Sequence, residues 1–241
     1  MKTFRLIGMT LLALCVNFAS CSSDDDEIIK NEEGIVTNQK KLVQMDDDDL
    51  TYDAKGRLVS IKGDGWSHAW NYTWADGLIV CNDDVLTIEN NLLRSVENED
   101  EKITFTYNSK NQLVKIESRG KDSDDPYVRE YVWEDGKIVK ELDEDGDIRC
   151  EYIYSGKTCK RMMFYPIYSE ENNPWPYLIV AHPELIGTPC LQLPDRQISH
   201  NNNTEYTINY SYDLDEEGYV VSFIRRYASD GYTEDHTFKW E

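Results

Sequence analysis

The sequence predicts an all-β protein: an antiparallel meander of serial hairpins wound into a strongly curved or barrel-like sheet, broken once by a long proline-rich insertion. Three observations carry this. Runs that alternate apolar with polar residues recur roughly every 8 to 15 residues, and no stretch of about ten residues holds a helical period. Clusters of Asp, Asn, Ser and Gly separate the runs, as hairpin turns require. Six of the seven prolines fall within residues 165–203, where they would remove ladder donors from any strand.

The hairpin at 102–117 states the pattern most cleanly. Ile103, Phe105 and Tyr107 alternate with Thr104 and Thr106, then Asn108 to Asn111 turn the chain, and Leu113, Val114 and Ile116 return it. With 108–111 as the loop, Tyr107 faces Gln112, Phe105 faces Val114 and Ile103 faces Ile116, so apolar side chains pair on one face. Residues 50–61 repeat this register, Tyr52 facing Arg57 and Leu50 facing Val59 across Asp53 to Gly56.

Taken in order, a first strand lies at Lys41 to Met45 and is ended by Asp46 to Asp49. After the 50–61 hairpin, Trp70 to Trp74 turns at Asp76 and Gly77 into Leu78 to Cys81. Val85 to Ile88 turns at Asn90 and Asn91 into Leu92 to Val96. Tyr127 to Trp133 turns at Asp135 and Gly136 into Ile138 and Val139. Cys150 to Tyr154 turns at Ser155 and Gly156 into Thr158 to Phe164. Tyr206 to Tyr212 turns near Glu216 to Gly218 into Tyr219 to Tyr227, and Tyr232 to Trp240 closes the series. About fourteen neighbouring strands cannot stay flat, because strand twist accumulates until the sheet coils or closes. Within 165–203 the sequence predicts loops with a helical turn around Pro183 to Ile186, acting as a functional loop, plug or lid.

At the N-terminus, Lys2 and Arg5 precede the apolar run Leu6 to Phe18 and the small residues Ala19 and Ser20, the pattern of a secretory signal over residues 1–20. Phe18, Ala19, Ser20 and Cys21 resemble a bacterial lipobox, in which the cysteine becomes a lipid-modified N-terminus. Cys15 is the competing site, but Leu14 before it is bulky. The acidic run Asp24 to Glu27 opens a tether over 21–34, and resembles the export signal of surface lipoproteins in Bacteroidota. That resemblance implies an outer-membrane protein held by its acyl chains and facing outward. A single domain over 35–241 follows, containing the insertion.

The chain carries 46 acidic against 25 basic residues, a formal charge of −21. So acidic a surface excludes nucleic acid as a partner, since that binding rests on basic patches that displace counterions. It also opposes an anionic membrane surface, which leaves the lipid anchor as the attachment.

The spacing of Tyr52, Asp53, Gly56, Arg57 and Leu58 is similar to a YD repeat of the Rhs type. A broader resemblance joins the lipobox, the acidic tether, the serial hairpins, an insertion with Leu185, Ile186, Gly187, Leu193 and Pro194, and the terminal unit Tyr210 to Val221. Together these resemble an uncharacterised Bacteroidota lipoprotein family with a porin-like fold. The resemblance implies a curved or barrel-like sheet and no known activity. A true pore is not expected, because the strands are short and carry no lipid-facing girdle.

Candidate ligand-binding residues are Trp66, Trp70 and Trp74, which with His68 and Tyr72 fall on alternate positions and so on one face of a strand, together with Trp175 and Tyr177 of the insertion. Such a stripe suits the apolar faces of sugars, but the same habit in Tyr127, Tyr131 and Trp133 and in Tyr206, Ile208, Tyr210 and Tyr212 favours a core face. Cys81, Cys150, Cys159 and Cys190 carry no metal-binding spacing and are expected as free thiols, Cys150 and Cys159 lying diagonally across one hairpin. Asp213, Asp215, Glu217 and Gly218 begin like a calcium loop, but Ile224 stands where a bidentate Glu is needed; Asp143, Asp145, Gly146 and Asp147 place glycine too early. Both read as solvated turns. His68, His182, His200 and His236 are scattered, and no catalytic motif or cofactor signature is present, so the chain is expected to bind glycan or protein rather than to catalyse. An accessory structural lipoprotein and a carboxylate-dependent hydrolase are the alternatives.

Overall fold

The computed structural model describes residues 30–31, 34–35, 39–63, 69–123, 125–161, 175–201 and 204–241. They belong to two compact units, divided between Gln39 and Lys40. In the first, β1 (Lys30–Asn31) pairs antiparallel with β2 (Gly34–Ile35).

The second unit is a closed antiparallel barrel of sixteen strands among the described residues. They are β3 (Leu42–Met45), β4 (Asp48–Tyr52), β5 (Leu58–Gly63), β6 (Trp70–Ala75), β7 (Leu78–Cys81), β8 (Asp84–Glu89), β9 (Leu92–Glu97) and β10 (Glu101–Tyr107). The series continues with β11 (Leu113–Gly120), β12 (Tyr127–Glu134), β13 (Lys137–Leu142), β14 (Ile148–Ile153), β15 (Arg196–Asn201), β16 (Thr204–Leu214), β17 (Val220–Tyr227) and β18 (Thr233–Trp240). Each strand pairs with its neighbour in sequence, and β18 returns to pair with β3, so the predicted curved meander closes completely.

Turn chemistry sets the register, and it differs from the predicted one. Asp53 N–H bonds to Arg57 C=O, Gly56 N–H bonds back to Asp53 C=O, and Gly56 takes φ +78°. This is a three-residue loop ending in a left-handed residue rather than a four-residue loop. The Asp53 carboxylate accepts the N–H groups of Lys55 and Arg57, which fixes the turn. Asn108, Asp143 and Asp215 build the same turn, with Asn111 (φ +56°), Gly146 (φ +81°) and Gly218 (φ +89°) at the left-handed position. The two loops resembling calcium sites are therefore turns in which the Asp143 and Asp215 carboxylates already serve backbone N–H groups.

A bulge follows. Tyr52 pairs with Leu58 but Thr51 with Ser60, and Tyr107 pairs with Leu113 but Thr106 with Lys115, so Val59 and Val114 are the extra residues. Phe105 consequently faces Ile116 and Leu50 faces Ile61, not Val114 and Val59 as expected. The bulge brings residues three apart onto the inner face. Leu42 and Met45, Leu58 and Ile61, Leu93 and Val96, and Leu113 and Ile116 are all buried in this spacing. Each buried aliphatic side chain contributes roughly 1.5–3 kcal/mol.

Aromatic residues tie neighbouring hairpins together. Tyr52, Tyr107 and Tyr154 donate their hydroxyls, and Trp74, Trp133 and Trp240 their indole N–H groups, to the carbonyls of Leu42, Leu93, Ile138, Leu58, Leu113 and Val220 respectively, at 2.6 to 2.8 Å. Each acceptor is the first inner residue of the preceding strand, beside the bulge where the ladder is interrupted. The aromatic supplies apolar bulk to the core and a polar tip to a carbonyl that would otherwise be orphaned.

The insertion proves shorter than 165–203, because Arg196–Asn201 is a full barrel strand, β15, paired with β14 and β16. The expected return strand at Thr158 to Phe164 is not formed over its described part: Thr158 makes an isolated bridge to Gln192, and β14 pairs with β15 instead. Residues 162–164 lie outside the described residues. Cys150 and Cys159 accordingly do not share a hairpin, and Cys81, Cys150, Cys159 and Cys190 are free thiols. Asp48 and Asp49, expected to end the first strand, open β4.

A helix α1 (Trp175–Ala181) and a 3-10 turn (Pro183–Ile186), the latter as predicted, enter one end of the barrel. Leu178, Ile179, Val180, Ala181, Leu185 and Ile186 join the barrel core. His182 anchors them. The backbone N–H of Leu58 donates to His182 Nε2 at 3.0 Å, so Nε2 is unprotonated and Nδ1 donates to Glu184 at 2.8 Å. The ring meets Tyr52 and Trp74 edge-on. Beyond the 3-10 turn, Thr188 bonds through its N–H to Asn111 C=O and through its hydroxyl to Lys110 C=O.

The outer wall is charged along mid-strand positions. Lys102 pairs with Glu97 at 2.7 Å, Lys140 with Glu151 at 3.1 Å and Lys115 with Glu117 at 3.1 Å. A lysine facing lipid at a bilayer midplane costs about 2–4 kcal/mol, so this wall suits water rather than acyl chains.

Candidate functional site, an arginine and tyrosine wall inside the barrel

In the repeating hairpin, the residue three beyond the first buried one is apolar: Met45, Ile61, Val96, Ile116 and Phe223. In β13 the first is Ile138 and the second is Glu141, a carboxylate only 3% exposed. A charge at a core position is expensive unless it is paired. Here Arg129 Nε of β12 lies 3.7 Å and Arg149 Nε of β14 lies 3.5 Å from the same Glu141 oxygen, and the Tyr152 hydroxyl donates to the other. Burial raises the Glu141 pKa, and the two guanidinium groups oppose that rise.

Strand alternation builds the surroundings. Tyr127, Arg129, Tyr131 and Trp133 share the inner face of β12. Both guanidinium groups lie 5.1 Å from the centre of the Tyr127 ring, and both donate to its hydroxyl, Arg129 at 3.0 Å and Arg149 in a close contact. Tyr127 is 40% exposed, so a flat ring backed by two cations meets solvent.

The polar wall continues across β14 to β18. Cys150 stands opposite Ser199 and Glu141. Gln197 Nε2 donates to Cys150 Sγ at 3.2 Å and to Ser199 Oγ at 2.7 Å, and Tyr210 donates to Gln197 at 2.6 Å. Arg225 pairs with Glu234 at 3.0 Å, while its Nε is buried without a hydrogen-bond partner among the described residues. Tyr206, opposite Ser199, is half-exposed. Burial pushes the Cys150 thiol up, which makes it a poor nucleophile. The Cys81 thiol is pushed up to about 12 by burial.

The residues singled out from sequence fall elsewhere. Trp70 of β6 meets Tyr177 of α1 edge-on, ring centres 5.4 Å apart, and Tyr177 donates to Asp48 at 2.7 Å. Trp74 packs on His182 and is one of the aromatic ties. The structure thus brings Trp70 and Tyr177 together and sets both, with Trp74, against the core. Trp66, His68 and the side chain of Trp175 lie outside the described residues. Sequence reasoning missed Arg129, Glu141 and Arg149; the signal was the Glu in a position otherwise filled by Met, Ile, Val or Phe.

Fold and wall together define a closed antiparallel barrel of the porin-like kind, with one end filled by its own insertion. The solved structures that share this fold include two porin-like proteins. A porin-like protein from Bacteroides uniformis ATCC 8492 aligns with a TM-score of 0.58 at 16% identity, over 84% of this chain and 95% of that one. A porin-like protein from Bacteroides vulgatus ATCC 8482 aligns with a TM-score of 0.58 at 13% identity, over 83% of this chain and 99% of that one. No family model and no curated protein matches the sequence.

Proposed function

We propose that this chain is a non-catalytic binding protein of the outer membrane, anchored through a lipidated Cys21 and exposed at the cell surface, whose ligand is a glycan held at the arginine and tyrosine wall. The observation that carries the reading is Glu141 buried between Arg129 and Arg149 beneath the exposed Tyr127 ring. Evolution of a stable core alone has no use for a carboxylate there, because apolar residues of similar volume hold buried positions as well or better. A half-exposed aromatic face with planar hydrogen-bonding groups beside it matches the alternating apolar faces and hydroxyl edges of sugars.

A glycan array probed with the mature protein tests the binding. Capture of one glycan class, abolished by Tyr127→Ala with the fold intact, supports the reading, and no capture overturns it. Labelling of the chain by an alkyne fatty acid, lost in Cys21→Ala, tests the anchor. Digestion by protease added to intact cells tests exposure.

A further inference from the structure

Resting on that reading, we infer that the glycan carries an acidic group, a carboxylate or a sulfate ester on a sugar ring, and that Arg149 is the residue that takes it, with Glu141 as the internal counterion the ligand competes with. The charge balance points there first. Arg129 and Arg149 turn Nε toward the same Glu141 oxygen, at 3.7 and 3.5 Å, so Arg149 does not have that carboxylate to itself.

The geometry is equally specific. Arg149 commits one terminal nitrogen to the Tyr127 hydroxyl and turns Nε toward Glu141, at a distance longer than a full hydrogen bond. Its other terminal nitrogen has no hydrogen-bond partner among the described residues, and the side chain is 35% exposed. A guanidinium edge open to solvent beside an exposed ring fits a sugar that stacks on Tyr127 and points an anionic substituent at Arg149. Planar, bidentate recognition of an oxyanion is what arginine provides and lysine does not.

The acidity of the chain narrows the class further. Its field repels long polyanions, nucleic acid included, so the ligand is a short oligosaccharide or one with sparse charges.

The test compares three probes on the mature protein by calorimetry: an oligogalacturonate, the same oligomer fully methyl-esterified, and a carrageenan-type galactan oligosaccharide of similar length, which carries sulfate esters and no carboxylate. A charge-assisted hydrogen bond is worth about 1.5–3 kcal/mol, which is roughly a 10- to 150-fold preference for an acidic probe over the ester. Whichever acidic probe binds more tightly identifies the source of the anion. Arg149→Gln is expected to erase the preference, and Arg149→Lys to keep part of it. Glu141→Gln is expected to raise affinity for the acidic probe several-fold and leave the ester unchanged, a gain that a purely structural glutamate would not give.

Equal binding of acid and ester by the native chain, or a preference that survives Arg149→Gln, overturns the inference while leaving the glycan reading standing. Failure of every glycan, acidic or neutral, overturns both.

Discussion

Gly187 is where the insertion is fastened to the barrel, and replacing it by alanine isolates the strength of that fastening. It takes φ +89° and ψ −141°, a region open to glycine and essentially closed to other residues, so a side chain there costs on the order of 1–3 kcal/mol. A Cβ at this position would also stand 2.1 Å from Asn111 O, which is backbone and cannot swing away. Relief requires the chain to retreat, breaking the bonds from Thr188 N–H to Asn111 C=O at 2.8 Å and from Thr188 Oγ1 to Lys110 C=O at 2.6 Å. Each is worth about 1 kcal/mol net. The sum for Gly187→Ala is about 3–5 kcal/mol, or roughly 6–20 °C in melting temperature for a domain of this size. Gly136→Ala is the control, because Gly136 has φ +76° with nothing within 4 Å of the added Cβ; it should lose only about 1–2 kcal/mol. The assay is urea unfolding of both variants against the native chain. If Gly187→Ala costs no more than Gly136→Ala, the insertion is not held where the structure places it, and the argument for a plugged end fails.

Trp74→Phe keeps most of the apolar bulk but leaves the Leu58 carbonyl without its donor, and should destabilise by about 1–3 kcal/mol in urea unfolding. His182→Ala removes the acceptor of the Leu58 N–H and opens a gap between Tyr52 and Trp74; a loss of about 2–4 kcal/mol is expected, with faster amide exchange at Leu58 as its direct signature. Acid should loosen the Asp53 turn: the Arg57 N–H and guanidinium hold the Asp53 carboxyl below the usual carboxylate range, so its contribution is present above that range and lost as pH falls through the depressed value. Asp53→Asn should flatten that part of the pH–stability curve. Glu141 has the opposite sign. Burial raises its pKa, so the folded chain holds the extra proton between the ordinary carboxylate range and the raised value, and stability falls as pH rises through that window. Glu141→Gln should remove the fall; a slope unchanged by the substitution would mean that the carboxylate is not buried as described.

Strand existence was legible because turn residues and alternation agreed with one another. The Asp76 and Gly77 turn, the Asn90 and Asn91 turn and the Asp135 and Gly136 turn all sit where the pattern put them. Register was not, because a bulge breaks the period of two: Leu58 and Ile61 face inward together, and strict alternation assigns them to opposite faces. The sequence of β15 reads as loop for a related reason. Its inner residues Gln197 and Ser199 belong to the polar wall, so the strand lacks the apolar alternation that would announce it. The aromatic stripe at 70–74 packs on the core, the reading its repetition favours, but the role of Trp74 as a tie is not legible from its own strand because the acceptor carbonyl, that of Leu58, lies on the strand before it. The wall itself left one trace, the Glu at 141, visible only after the bulged hairpins are laid over one another.

The barrel is a ring whose clasp is its final segment. Lys41 and Glu241 exchange backbone hydrogen bonds at 2.6 and 2.9 Å, and His236 reaches Asp46 across 190 residues of chain. Until Thr233–Trp240 meets Leu42–Met45, two strand edges stand open, and open edges seek partners in other molecules. A chain made from its N-terminus must therefore wait for Thr233–Trp240 before the circle can shut. Trimming Phe238 to Glu241 removes the pairs Phe238 makes with Met45 and Trp240 with Leu42, and would leave an open ribbon in place of a ring.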